Sequence, residues 1–346
     1  IIQDELHLIS GPLGSITGAV EALIENYAEN PKVIASTATI QDAAEQILGL
    51  YNREAEIFPL DFTNPDDSFF SVKKYDSPGR IYIGLTSATA NSPNYLLQST
   101  AAILMQSIND KRLNQLQDYI DPYTTPVFYF NSLREIGMAD GLLKDDAIAA
   151  IGAYSVLRNE VVRDGIEYEE LSSNASSQEI TNIRARLEQK FLEQDHLSGL
   201  LATVMISVGL DVSRLGLMLI IGQPKTISEY IQASSRVGRG SIPGLVITLF
   251  NEFKPRDKAH FETFNSWNKD MYSYVESSGV TPFAARAREK IFPALLVGLS
   301  IKELNLYDKN DFSLDPNQVE IIKEKIIPMI LERVKSIDSQ VLNESK

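Results

Sequence analysis

The sequence predicts an α/β fold in which a parallel sheet is flanked by helices, and two observations carry that expectation. Between residues 80 and 250, short apolar runs alternate with longer amphipathic stretches, the pattern of strands joined by crossover helices. The runs themselves, above all Leu215 to Ile221, are dense in Leu, Met and Ile between glycine-containing turns. Strands buried on both faces of a sheet have that composition.

Composition sets the outer bounds. A chain of 346 residues is long enough for more than one domain, and a hydrophobic fraction of 44% supplies sizeable cores. No window approaches the roughly 18 to 20 uninterrupted apolar residues of a membrane span, and the first residues show no signal-like pattern. The expected setting is therefore cytoplasmic, with no membrane partner. The sequence has no cysteine, which excludes disulfides, zinc ribbons and cysteine-ligated iron–sulfur clusters within it. With 32 basic against 46 acidic residues, the chain does not coat nucleic acid by bulk charge, although a local groove is compatible with that balance.

In chain order, Ile1-Ile2-Gln3 runs into Asp4-Glu5-Leu6-His7. In an α/β sheet such a strand delivers its carboxylates to the carboxyl edge, where ligands bind. A helix is expected from Ser15 to Tyr27, with Ile16, Val20, Leu23 and Ile24 on one face. The short strand Lys32 to Ala35 then leads into Ser36-Thr37-Ala38-Thr39. Hydroxyls at a strand end can exchange hydrogen bonds with the acidic loop, and Thr39 can also cap a helix from Ile40 to Leu50. Residues 61–79 read as linker or insertion, from their Pro, Asp, Asn and Gly content.

Beyond the linker, Arg80 to Leu85 alternates as a strand, and Ser92-Pro93 opens a helix with a serine cap and a first-turn proline. Pro126 to Phe130 is the next strand, followed by a polar helix start at Asn131-Ser132. The strand Ile166 to Leu171 ends in Ser172-Ser173-Asn174, and Ser176 with Glu179 forms a capping box ahead of a helix from Ile180 to Leu192. Hydroxyls, amides and helix N-terminal N–H groups there suit phosphate without reading bases; an ordinary solvent-facing turn fits the same residues.

Residues 202 to 240 form the centre of the pattern: a loop with Gly209 and Asp211, a buried strand, and a turn at Gln223-Pro224. A helix then starts with Thr226 and Glu229 as a capping box and carries Gln232, Arg236 and Arg239. An arginine keeps its charge and donates two hydrogen bonds from a planar fork, which suits negative charge building on a phosphoryl group. Gly244 to Phe250 supplies a last strand. Phe264, Trp267, Tyr272 and Tyr274 follow, with Lys254, Arg256 and Lys258 before them and Lys269 among them. Bases could stack on them, but their helical spacing favours packing. From about 283 the tail has helical spacing.

Gln232-Ala-Ser-Ser-Arg236-Val-Gly-Arg239 resembles motif VI of superfamily 2 helicases, and Ala202-Thr203 through Gly209-Leu-Asp211 resembles their motif V. Asp4-Glu5-Leu6-His7 is similar to the Walker B box of the DExH branch, Ser36-Thr37-Ala38 to motif III, and the junction at Asn131 to motif IV. A second Ser87-Ala88-Thr89 follows a different strand and is set aside. The acidic box, Gly222-Gln-Pro-Lys-Thr226, Pro255-Arg-Asp257 and His260-Phe-Glu262 together resemble the helicase subunit of DISARM anti-phage systems, along nearly the whole chain.

The resemblance implies a complete RecA-like lobe at 80–250, a remnant of a first RecA-like lobe at 1–60, and a mostly helical extension at 251–346. It implies ATP and Mg²⁺ as ligands, with Asp4 holding the metal and Glu5 positioning or deprotonating the attacking water. Gln232, Arg236 and Arg239 would join Glu5 in catalysis, Gly209 and Asp211 would meet the nucleotide, and His7, Ser36, Thr37 and Ala38 would couple the motifs. Thr203, Ser173, Asn174, Asn131 and Ser132 would touch DNA, single-stranded or with a single-stranded end. Expected partners are other defence subunits, including one with a DUF1998 domain. No Gly-x-x-x-x-Gly-Lys-Ser/Thr phosphate loop occurs, so the sequence is expected to be a piece of a larger protein, inactive alone. A DNA-repair helicase, a non-hydrolysing scaffold and an isolated nucleic-acid-binding module are the alternatives.

Overall fold

A computed structural model describes residues 1–37, 43–58, 67–69, 71–72, 76–87, 92–113, 116–191, 193–207, 211–277, 279–307 and 313–338. The chain divides into two compact units, Lys73–Tyr274 and the pair Ile1–Val72 with Val275–Lys346. The stretch 251–346, expected as one extension, is therefore split between them.

The first unit is a six-stranded sheet with helices on both faces. Its strands are β1 (Arg80–Thr86), β2 (Val127–Phe130), β3 (Tyr168–Leu171), β4 (Gly199–Ala202), β5 (Leu217–Ile221) and β6 (Gly244–Phe250). They lie in the order β1-β6-β5-β2-β4-β3, every pair parallel. The longer helices are α1 (Pro93–Ser107), α2 (Leu133–Gly141), α3 (Ala147–Arg158), α4 (Ser177–Glu188), α5 (Ile227–Ser234) and α6 (Pro255–Glu262). The alternation expected from the sequence is present. β4 lies outside the strands expected from the sequence: its Gly-Leu-Leu-Ala carries no β-branched or aromatic residue, unlike the equally short β2 and β3.

The two faces of the sheet are filled differently. Phe128 pairs in register with Leu201 and Leu219, and Leu219 with Ile247. These side chains share one face and one core with Leu97, Ala101 and Met105 of α1 and with Ile136, Leu143 and Ile151. On the other face Tyr129, Ile220 and Thr248 line up and receive α5 through polar contacts. Tyr230 and Thr248 share a hydroxyl bond at 3.2 Å, and the Tyr129 hydroxyl donates to the Glu229 carboxylate. Thr226 caps α5 by accepting from the Glu229 amide at 3.1 Å. The reciprocal half of the expected capping box is diverted, because the Glu229 side chain takes the Tyr129 hydroxyl instead. Ser176 and Glu179 form the complete box at the start of α4.

Of the aromatics after β6, Phe264 and Trp267 are buried and Tyr272 and Tyr274 are exposed. Trp267 stands edge-on to Tyr230 with ring centroids 5.1 Å apart, so packing accounts for the first two.

In the second unit, Ile2–Gln3 pairs in parallel with Ile34–Ala35. Helix Gly11–Tyr27 begins four residues earlier than the pattern suggests, with proline in its first turn. Helices Ala43–Tyr51, Ala285–Glu303 and Ile327–Ile337 complete the unit's main elements. Its core joins Ala19 to Phe283, Leu295, Leu299, Ile326, Ile330 and Val334, so residues from both ends of the sequence share one hydrophobic cluster. Among the described residues no helix is long and apolar enough to cross a membrane.

Candidate functional site

The acidic residues leave the Ile2–Gln3 strand on a strained turn. Glu5 has φ 54°, ψ 47°, the left-handed conformation that disfavours a side-chain-bearing residue. Neighbouring bonds hold it there: Leu6 N donates to Ser36 O at 3.0 Å, and Ser36 N to Gln3 O at 2.9 Å. Asp4 Oδ1 accepts from the Glu5 amide at 2.9 Å and from the Ser36 hydroxyl. These two bonds, the hydroxyl first, lower the Asp4 carboxyl below its ordinary value and keep it ionised. His7 Nδ1 lies 3.1 Å from Thr37 Oγ1 and 3.3 Å from Glu5 Oε2. Burial lowers the His7 pKa, against the opposing pull of Glu5 and Asp4. The structure thus gathers Asp4, Glu5, His7, Ser36 and Thr37, while Ala38 lies outside the described residues.

An exposed, ionised carboxylate such as Asp4 fits Mg²⁺, which is commonly held by one or two carboxylates and otherwise by water and phosphate oxygens. Among the described residues no three His, Asp or Glu side chains converge as a metal cage, so Asp4 would be the protein's main contribution.

The arginines occupy the amino edge of the sheet in the other unit. The turn after α5 closes at Gly238, where φ is +67° and a Cβ would stand 2.4 Å from Gly244 Cα; only glycine fits. The Gly238 amide donates to Leu215 O at 2.8 Å. Arg80, the first residue of β1, donates from Nε to Val237 O at 2.8 Å and from Nη2 to Ser235 O at 3.1 Å. These bonds satisfy carbonyls that a helix end leaves open. On this pinned turn Arg239 bonds Ser235 O through Nε at 3.1 Å and forms an ion pair with Asp211, 28 residues away in sequence. Arg236 is next to that turn, and Gln232 is buried on α5. Gly209 lies outside the described residues.

The candidate DNA residues lie on the opposite, carboxyl edge, after three adjacent strands. Asn131 and Ser132 follow β2, Thr203 follows β4, and Ser173 and Asn174 follow β3. Ser132 caps α2 by accepting from Glu135 N at 3.3 Å, and Asn131 Nδ2 bridges to Ile221 O at 3.0 Å. Ser173 and Asn174 are exposed, whereas Thr203 is mostly buried. A cavity of about 420 Å³ here is lined by Glu169, Glu170, Asn174, Glu179 and Arg186. Arg186 is engaged by Glu167 and Glu169, both at 2.6 Å. The edge therefore offers hydroxyls and amides more than free positive charge.

Sequence reasoning missed Arg80, Tyr129 and Gln46, all of which act on the candidate residues by holding backbone or helix in place. Their partners are distant in sequence, and only a basic residue opening a strand could have hinted at the first.

The family described as the helicase conserved C-terminal domain matches residues 147–241, a span that includes Thr203, Asp211, Gln232, Arg236 and Arg239. The DISARM protein DrmA of Bacillus paralicheniformis is 40% identical over 347 residues, covering 94% of this chain and 31% of DrmA. The chain thus spans about a third of that relative's length. Among solved structures, the DUF1998 helicase MrfA bound to DNA and AMPPNP superposes with a TM-score of 0.57 at 16% identity, over 94% of this chain and 40% of MrfA. The Mycobacterium smegmatis helicase Lhr bound to ssDNA and AMP-PNP gives 0.50 at 14% identity, over 88% and 33%. At such identities these two likenesses are of fold. Residues 147–241 thus carry the helicase conserved C-terminal domain, and along nearly all of its length the chain is similar to a DISARM protein.

Proposed function

We propose that this chain is part of an ATP-driven DNA helicase or translocase of bacterial anti-phage defence, cytoplasmic and working with other defence subunits. The observation that supports this most directly is the Asp211–Arg239 ion pair on the glycine-pinned turn. Two segments that resemble motifs V and VI in sequence meet in space, as a working pair would and a chance resemblance need not.

In this reading Glu5 orients or deprotonates the water that attacks the terminal phosphate of ATP, and His7 with Ser36 and Thr37 holds the acidic turn. Arg236 and Arg239 stabilise the charge that develops on the phosphoryl group, and Asp211 orients Arg239. Asp4 would hold Mg²⁺, which when bound neutralises phosphate charge. The hydroxyls and amides of the carboxyl edge bind the DNA backbone without reading sequence. The phosphate loop is supplied by a part of the protein outside this sequence, so the 346-residue chain alone does not turn over ATP.

The test is ATP hydrolysis by the full-length protein, with and without single-stranded DNA, beside Glu5→Gln, Arg239→Ala and this chain alone. DNA-stimulated turnover should appear in the full-length protein. It should fall by roughly 10³ to 10⁵ in Arg239→Ala, the range of an arginine finger. It should also disappear in Glu5→Gln and in the chain alone. A full-length protein inert under every condition would replace this reading with a non-hydrolysing scaffold, and turnover that survives both substitutions would remove Glu5 and Arg239 from catalysis.

A further inference from the structure

Gln46 belongs to no helicase-like motif, yet it is wholly buried and its amide spans the acidic turn. Nε2 lies 3.0 Å from Leu6 O and 2.8 Å from Ile9 O. Two carbonyl oxygens can be met only by a donor, which fixes the NH₂ end of the amide toward the turn. Those carbonyls bracket the single 3₁₀ turn Leu6–Leu8 that follows the left-handed Glu5. Strain of that kind persists only where the surroundings over-determine it. Ser36 ties the turn from the strand side, through Leu6 N and the Asp4 carboxylate. Gln46 ties it from the helix side.

The helix that carries Gln46 is itself held. A Cβ at Gly49 would meet Val280 O at 3.0 Å, one at Gly14 would meet Val280 Cγ2 at 2.9 Å, and one at Gly18 would meet Pro282 Cβ at 3.0 Å. The Gly11 amide donates to Gly279 O at 3.0 Å, and Ser15 Oγ is 3.4 Å from Thr281 Oγ1. Three glycines on two helices thus form a seat for residues 279–282, and close packing of this kind leaves the helix little freedom to shift.

We propose that Gln46 is a positioning residue of the acidic turn, its amide holding the Leu6 and Ile9 carbonyls so that the Glu5 carboxylate keeps the orientation that water activation requires. This rests on the role given to Glu5 above. Gln46→Met keeps the side-chain length and removes the donor. In the full-length protein it should leave KM for ATP within about twofold and lower kcat on the order of 10- to 100-fold, since a displacement of about 1 Å can cost that much. Gln46→Glu sets an acceptor against two carbonyls, and protonation restores a donor. Its kcat relative to wild type should therefore rise as pH falls from about 8 to about 6, while the Gln46→Met ratio stays flat. A packing role alone would give neither the kcat-only loss nor the pH dependence.

A second readout needs no turnover. The Leu8 and Ile9 amides bond to Glu5 O and Leu6 O, and in this chain carrying Gln46→Met they should exchange with solvent at least about tenfold faster, with the amides of helix Gly11–Tyr27 unchanged. Unaltered kcat and exchange in Gln46→Met would overturn the proposal, as would global unfolding of both variants, because a positioning role is local. Loss of turnover in Glu5→Gln together with an unaffected Gln46→Met would discard Gln46 and keep the function. Wild-type turnover in Glu5→Gln would discard the role given to Glu5, and the exchange experiment would then decide alone whether Gln46 holds the turn.

Discussion

Arg80 donates through Nε to the carbonyl of Val237 at 2.8 Å, joining the first residue of β1 to the turn that presents Arg236 and Arg239. A sheet strand thereby closes the end of α5 with a cation, which a helix C-terminus favours. Arg80→Ala should lower the stability of the chain by about 1–3 kcal/mol, measured by urea unfolding. In the full-length protein ATP turnover should fall although both candidate arginines are intact. Arg80→Lys should restore little, because a point charge cannot reproduce the fork.

Gly238 and Gly240 offer a matched pair. Both have positive φ, +67° and +64°, but only Gly238 lacks room for a Cβ. Gly240→Ala should cost about 1 kcal/mol, the strain of the left-handed region alone. Gly238→Ala adds a backbone clash and should cost about 3 kcal/mol or more. Thermal unfolding of the two variants checks the difference, and equal costs would mean that the turn can open without loss.

The Tyr129 hydroxyl, whose pKa is pushed far upward by burial and then by Glu229, donates to the Glu229 carboxylate. Tyr129→Phe leaves that carboxylate short of a donor and should cost about 1–3 kcal/mol. In the Tyr129→Phe background, Glu229→Gln should cost less than it does alone. A double-mutant cycle by urea denaturation should return a coupling of about 0.5–3 kcal/mol.

His7 and His196 are both lowered from the ordinary histidine value, chiefly by burial. A histidine kept neutral in the native state gives stability that is complete above the unfolded value of about 6.5. It is lost as pH falls through that value toward the folded pKa, because the unfolded chain takes up the proton first. The urea midpoint should thus drop between pH 7.5 and 5.5, and His7→Gln should remove part of that slope. A midpoint that rises on acidification would contradict the burial of both rings.

If the carboxyl edge binds the DNA backbone, Thr203→Val and the pair Ser173→Ala with Asn174→Ala should weaken binding of single-stranded DNA by the full-length protein about equally for unrelated sequences. The slope of log affinity against log salt should not change, since no cation is removed. Fluorescence anisotropy over a salt series reads both quantities. A changed slope would point instead to lost phosphate-binding cations nearby.

Much of this architecture was legible because strand alternation and capping chemistry are local. Ser92, Ser132 and Ser176 cap the helices that follow them, and the arginine turn is signalled by its glycine. What was not legible depends on partners far along the chain. Glu229 reads as half of a capping box until Tyr129 claims it. Gln46 reads as an ordinary helix residue until Leu6 and Ile9 present their carbonyls. The strand Gly199–Ala202 has no β-branched or aromatic residue to mark it, and nothing local announces that residues 275–346 share a core with residues 1–72.

That shared core has a consequence for synthesis. Because a chain emerges N-terminus first, the acidic segment leaves the ribosome long before Phe283, Leu295 and Val334 exist to cover Ala19. The contiguous sheet unit between them can form in the interval, whereas the acidic unit must await loop closure over about 200 residues, a slow, high-contact-order event. Nascent chains halted near Tyr274 would therefore carry a finished arginine turn and an unfinished acidic one.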